Sequence, residues 1–228
     1  MIDKEVGTAD EAVAEVADGA TIMVGGFGPP GQPTALISAL IRKGVRDLVI
    51  INNNAGAGGH AISELFAAER VRKVVCSFPK AIGSTVFDEL YLAGKIELEL
   101  VPQGTLAERI RAAGAGIGGF YTRTGVGTEL TAGREVRTID GHDYVLESPL
   151  HADFALIRGY RGDRLGNLVY RKTGRNFGPV MATAAKTVIA EVQHLVPPGT
   201  LDPEIIITPG IYVDRIFDVS REPEEVAS

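Results

Sequence analysis

Cysteine occurs once, as Cys76, and tryptophan not at all, in a chain of 228 residues. A lone cysteine can neither close an intrachain disulfide nor pair with a second to hold a metal, which fits a reducing compartment. No run approaches the roughly 18 uninterrupted apolar residues that crossing a bilayer requires. The opening Met1-Ile2-Asp3-Lys4-Glu5 has neither the basic end nor the apolar centre of a secretory leader. The sequence therefore predicts a cytoplasmic protein without a membrane segment. Positive charge is scarce too: 23 Lys and Arg against 29 Asp and Glu leave a formal net charge of −6, the wrong sign for neutralising nucleic-acid phosphates. His60, His142, His151 and His194 have no i,i+4 partner and no nearby cysteine, so no metal site is expected. Neither a G-x-S-x-G elbow nor a Gly-Lys-Ser/Thr loop is present, which removes the usual serine-hydrolase and phosphate-loop readings. What the chain does have is 45% hydrophobic and 23% charged residues, the balance of a folded globular protein, and a small molecule is the expected ligand.

Short β-type runs recur about every 25 residues, at Ala20 to Val24, Asp47 to Ile51, Arg72 to Phe78 and Ile96 to Val101, with a helix-like segment in each gap. That alternation predicts an open, mostly parallel α/β sheet with flanking helices. Thr8 with Glu11 and Thr105 with Glu108 have the spacing of capping boxes, Gly19 and Gly44 mark the ends of the first two helices, and Leu36, Ile37, Leu40 and Ile41 form an apolar stripe that faces the sheet. From Gly114 the pattern changes. Asp140-Gly141 and Gly166-Asn167 read as tight turns in a smaller antiparallel or irregular subregion, followed by a helix around Pro179 to Lys186 and a strand at Thr187 to Val192. The acidic end, Arg221 to Ser228, is expected to fray. No linker divides residues 1–228, so one domain is predicted.

The segment Gly25-Gly26-Phe27-Gly28-Pro29-Pro30-Gly31 follows the first parallel strand of the repeat, at the edge where open α/β sheets bind ligands. Gly26, Gly28 and Gly31 match G-x-G-x-x-G, a dinucleotide fingerprint. Against an oxidoreductase of that kind, Asn52-Asn53-Asn54 stands where an acidic residue should grip the ribose, and three prolines remove donors from the turn. A glycine-rich turn without a ligand is the plain alternative for the segment, and a non-catalytic binding module a third reading of the chain. Asn53 and Asn54 can orient a carboxylate without adding charge, and equally form a turn. Gln103 directly follows the strand ending at Val101, so its amide should project from the carboxyl edge. Between Asp153 and Lys186 seven basic residues (Arg158, Arg161, Arg164, Arg171, Lys172, Arg175 and Lys186) meet two acidic ones, Asp153 and Asp163; such a run suits a phosphate or a dicarboxylate, or a solvated face or subunit contact. Cys76 falls in a buried strand and reads as an inert small hydrophobe.

Asp18-Gly19, Ile22-Met23-Val24, Gly25-Gly26-Phe27, Gly31 and Pro33, in that spacing, resemble the signature of class I coenzyme A transferase α subunits. Asn53-Asn54-Ala55-Gly56, Pro102-Gln103-Gly104-Thr105, Phe120-Tyr121 to Gly127-Thr128, and Arg171-Lys172 with Arg175-Asn176-Phe177 extend the likeness over nearly the whole chain. Lys73 to Pro79, Phe87 to Tyr91 and Pro149 to Phe154 look most like the branch that uses 3-oxoadipate; the acetoacetate branch shares most of the frame. The resemblance implies a heteromeric enzyme, α2β2, that moves coenzyme A from succinyl-CoA to a 3-oxo acid and binds no permanent cofactor. It places the nucleophilic glutamate on a partner β chain, a substrate-contacting glutamine at Gln103, and the coenzyme A moiety or thioester near Gly25 to Gly31. Glu64, Glu89, Glu108 and Glu129 are expected on helix faces or in caps.

Overall fold

The computed structural model describes residues 2–56, 61–80 and 83–221. The chain runs through β1 (Glu5–Val6), α1 (Ala9–Ala12), β2 (Thr21–Val24), α2 (Thr34–Lys43), β3 (Leu48–Ile51), α3 (Ile62–Ala67), β4 (Val71–Cys76), α4 (Val86–Leu92), β5 (Glu97–Leu100) and α5 (Gln103–Gly114). It continues through β6 (Phe120–Thr122), β7 (Val136–Ile139), β8 (His142–Glu147), β9 (Ala152–Asp163), β10 (Leu168–Val169), α6 (Gly178–Ala182), β11 (Ala185–Val196) and β12 (Arg215–Asp218).

The main sheet has the order β1-β12-β11-β9-β2-β3-β4-β5, parallel throughout, with β10 added antiparallel to β9. The neighbouring strands β2 and β3 read as short apolar runs because both faces are covered. Ile22, Val24, Leu48, Ile50, Val74 and Cys76 point to a core shared with α1 to α4, whereas Met23, Val49, Ile51 and Val75 point to a second core completed by Leu106 and Ile110 of α5 and Met181 of α6. The α2 stripe behaves as its spacing dictates: Leu36, Ile37 and Leu40 are fully buried, each stabilising by about 1.5–3 kcal/mol, and Ile41 packs at the margin. Gly44 ends α2 in the left-handed conformation, its N–H on the carbonyls of Leu40 and Ile41.

A separate three-stranded antiparallel sheet, β6-β8-β7, turns at Asp140-Gly141 as the sequence suggests. Arg109 of α5 fastens it, donating to Glu99 and to the Ser148 carbonyl beside Glu147, which also pairs with Arg134.

Four expectations need correction. The Thr8–Glu11 cap forms, but Thr105 caps nothing: with Pro102 at its N-cap, α5 begins at Gln103, two residues earlier, Thr105 Oγ1 is buried without a partner, and Glu108 pairs with Arg111. The helix placed at Pro179 to Lys186 is a single turn, and the strand after it runs from Ala185 to Val196. Ala152 to Asp163, taken as part of the irregular subregion, is a 12-residue strand in the middle of the main sheet. Gly19, expected to end the first helix, lies seven residues past it, because α1 stops at Ala12. Residues beyond Arg221, expected to fray, lie outside the described residues.

Candidate active site

Because β2, β3, β4 and β5 are parallel, the segments that follow them meet at one edge. Asn53, just past β3, is almost completely buried. Its Oδ1 accepts from Ser77 Oγ at 2.9 Å, past β4, and from Gln103 Nε2 at 2.8 Å, past β5. Two donors on one oxygen fix which way the Asn53 amide faces. Among the described residues its Nδ2 has no partner, and Gln103 keeps one unshared N–H. Asn54 lies alongside, its Oδ1 accepting from the Gly56 N–H and its own N–H held by Asn52 Oδ1. The structure therefore gathers Gln103, Asn53 and Asn54, three of the side chains singled out from the sequence, and adds Ser77. Ser77 was not legible because its role depends on a neighbour 24 residues away.

The loop from Gly25 to Gly31 is shaped by its own chain. Asn176 clamps it from outside: Oδ1 accepts from the Gly26 N–H at 3.0 Å, and Nδ2 donates to the Pro30 carbonyl at 2.9 Å. Gly31 has φ +83°, and a Cβ there would lie 2.6 Å from both Asn176 Nδ2 and the Gly174 carbonyl oxygen, so only glycine fits. From inside, Gln32 Nε2 donates to the Gly28 carbonyl and its Oε1 accepts from the Ile62 N–H. Phe27 stands half exposed, as does Phe78 beyond β4. Asn176 occurs in the Arg175-Asn176-Phe177 stretch, the signal that could have found it.

The amino end of α2, where a pyrophosphate would rest in a dinucleotide site, is already filled. Glu191 of β11 is fully buried, and its Oε2 accepts from Ala35 N–H at 2.9 Å and Leu36 N–H at 3.2 Å. Arg158 of β9 lies 3.3 Å from the other carboxylate oxygen and donates to the Gln32 carbonyl. Burial pushes the pKa of Glu191 up to about 7, against the pull of Arg158 and of the helix amides. At the ribose position Asn52 donates instead to the Val24 carbonyl. Cys76, also buried, has its thiol pushed up to about 12 by desolvation, which keeps it unreactive. The four glutamates expected on helices are there: Glu64 on α3, Glu89 on α4 accepting from Thr85, Glu108 on α5, and Glu129 on a short turn of 3-10 helix.

Residues 6–218 match the coenzyme A transferase family, and the chain is a member of it. It is 62% identical over 220 residues to the A subunit of the 3-oxoadipate CoA-transferase of Pseudomonas putida, covering 96% of this chain and 95% of that one. It is 51% identical to the A subunit of the succinyl-CoA:3-ketoacid coenzyme A transferase of Xanthomonas campestris pv. campestris B100, over 92% of this chain and 86% of that one. Among solved structures, the acyl-CoA transferase of E. coli O157:H7 in thioester complex with CoA superposes with a TM-score of 0.84 at 26% identity; the match covers 97% of this chain but 48% of that one, so the chain spans about half its length. Among the described residues no helix is long and apolar enough to cross a membrane.

Proposed function

We propose that residues 1–228 act as one unit, the α component of a cytoplasmic, heteromeric 3-oxoadipate CoA-transferase of α2β2 composition, working in the breakdown of aromatic compounds. The observation that carries this reading is the near full-length identity to the Pseudomonas putida protein, and the amide cluster at the carboxyl edge gives it a chemistry. A glutamate carboxylate on the partner β chain attacks the thioester carbonyl of succinyl-CoA and expels the CoA thiolate, leaving an acyl anhydride. The thiolate then attacks the glutamyl carbonyl, which releases succinate and leaves a glutamyl-CoA thioester. The carboxylate of 3-oxoadipate repeats the two steps in reverse and departs as its CoA thioester. Every addition places negative charge on a carbonyl oxygen. The unshared N–H of Gln103 and the Nδ2 donors of Asn53 are preset dipoles for that charge, each worth about 3 kcal/mol by analogy with other oxyanion-hole donors. Gly25, Gly26, Phe27, Gly28, Pro29, Pro30 and Gly31 form the wall against which the CoA moiety lies, and Asn54 helps seat the acid.

The two-subunit enzyme is tested by incubating it with succinyl-CoA and reducing with borohydride. The adduct should appear on the partner chain, and label on this chain refutes the reading. Comparison of kcat/KM should favour 3-oxoadipate over acetoacetate. The second reading, an acetoacetate-type acceptor, is favoured by the Xanthomonas relative, and the opposite ranking would establish it. Isothermal titration with NAD should give no heat, because Glu191 holds the α2 amides that a pyrophosphate would need.

A further inference from the structure

Strand order reverses between β2 and β9: β3, β4 and β5 proceed one way, β11, β12 and β1 the other. Open α/β sheets take ligands in the crevice outside the strand ends at such a point. Here that crevice is a cavity of about 460 Å³, bounded by Pro30 and Gly31 of the glycine loop, Arg158 and Tyr160 of β9, and Arg171 and Lys172 on the turn after β10. No aspartate or glutamate lines it, in a chain with 29 of them.

The basic residues of this region divide by what they face. Arg164 pairs with Asp3 and Glu5, and Lys186 pairs with Asp153. Arg158 is turned inward to Glu191. Arg171, Lys172 and Arg175, by contrast, have no carboxylate partner among the described residues. Arg171 is held with its guanidinium carbon 5.3 Å from the centre of the Tyr160 ring, a cation–π contact that leaves its charge without a carboxylate. Lys172 has φ +51°, a left-handed backbone that a glycine adopts at less cost, yet the position carries a cation.

We propose that this cavity seats a phosphate-bearing group, held by Arg171 and Lys172, and that the group is the phosphorylated end of the CoA donor. The second clause rests on the transferase reading. The cavity flanks β9, whereas the Asn53 cluster follows β3, two strand spacings or about 10 Å away across the glycine loop. A molecule with its reacting carbonyl at one end, its anionic groups at the other and a flexible arm between fits both places at once; CoA thioesters have that form. A short dicarboxylic acid offers the same anionic chemistry over a smaller reach.

The test uses the two-subunit enzyme with Arg171→Gln/Lys172→Gln, Lys172→Gly, and Arg164→Gln as a control from the same segment. The double variant should raise KM for succinyl-CoA at least tenfold while KM for the 3-oxo acid changes less than twofold, and Arg164→Gln should leave both unchanged. Lys172→Gly should raise KM for succinyl-CoA with Tm equal or higher, which separates lost binding from lost folding. Adenosine 3′,5′-bisphosphate should compete with succinyl-CoA in the wild type, and its binding by equilibrium dialysis should be lost in the double variant. A rise confined to KM for the acid would assign the cavity to a carboxylate and overturn the proposal. A working transferase whose KM values ignore these variants would remove the cavity and spare the function. A wild type that binds adenosine 3′,5′-bisphosphate through these residues but does not use succinyl-CoA would do the reverse.

Discussion

Gln103 and Asn53 illustrate how position turns an ordinary amide into a tool. Each lies within two or three residues of a strand end, so the backbone aims it, and the bond between them removes the freedom that an isolated amide would keep. Gln103→Ala is expected to lower kcat about a hundredfold with little change in KM, since an oxyanion donor acts mainly in the transition state; steady-state kinetics on the two-subunit enzyme provides the check. Asn176 works at one remove. Asn176→Ala deletes bonds to both ends of the glycine loop, so KM for the CoA thioester should rise and Tm fall, whereas Asn176→Asp keeps the acceptor for Gly26 and should recover part of both. The two amides were legible from the sequence because strand ends are. Ser77 and Asn176 were not, since a hydroxyl or amide acquires its role from partners the sequence leaves distant.

Among the elements, α2 has its amino end braced by a carboxylate from another strand. Glu191 titrates near 4.5 when unfolded and near 7 when folded. Between those values the folded chain holds a proton that the unfolded chain has released. Stability therefore falls as pH rises through that window, by something of order 3 kcal/mol, and is level on either side. Glu191→Gln should flatten that slope in thermal melts between pH 4.5 and 7; a slope that persists assigns it to other groups. The four-fold β-type repeat of the first half was readable because its strands are short, rich in apolar residues and recur at an even spacing. β9 was not, because Arg158, Gly159, Arg161 and Gly162 interrupt its apolar character. The structure explains them: a Cβ on Gly162 would lie 2.5 Å from Ile216 Cδ1, so the glycine admits a close neighbour, while Arg158 is neutralised by Glu191. The α5 start was misplaced for a similar reason, since Pro102, with φ −52°, already sets the chain for a helix three residues ahead of Thr105.

At the scale of the molecule, the two edges of the main sheet are short or charged: β1 has two residues and β5 reads Glu97-Leu98-Glu99-Leu100, which discourages stray pairing. Two of the exposed apolar side chains, Phe27 and Phe78, follow β2 and β4 on the edge where the site lies. Assembly with the partner β chain should slow amide exchange at residues 25–31 and 77–78, measured by hydrogen–deuterium exchange, and Phe78→Ser should weaken assembly while leaving this chain's own melting point unchanged within error. The placement of β9 between β2 and β11 also has a history written into it. During synthesis the ribosome releases β2 through β5 long before residue 152 emerges, so for most of translation Ile22, Met23 and Val24 form an open flank with no neighbour. A nascent chain halted at residue 150 should therefore clump or recruit chaperones, and the crevice for the ligand should come into being only after residues 152–172 have been made.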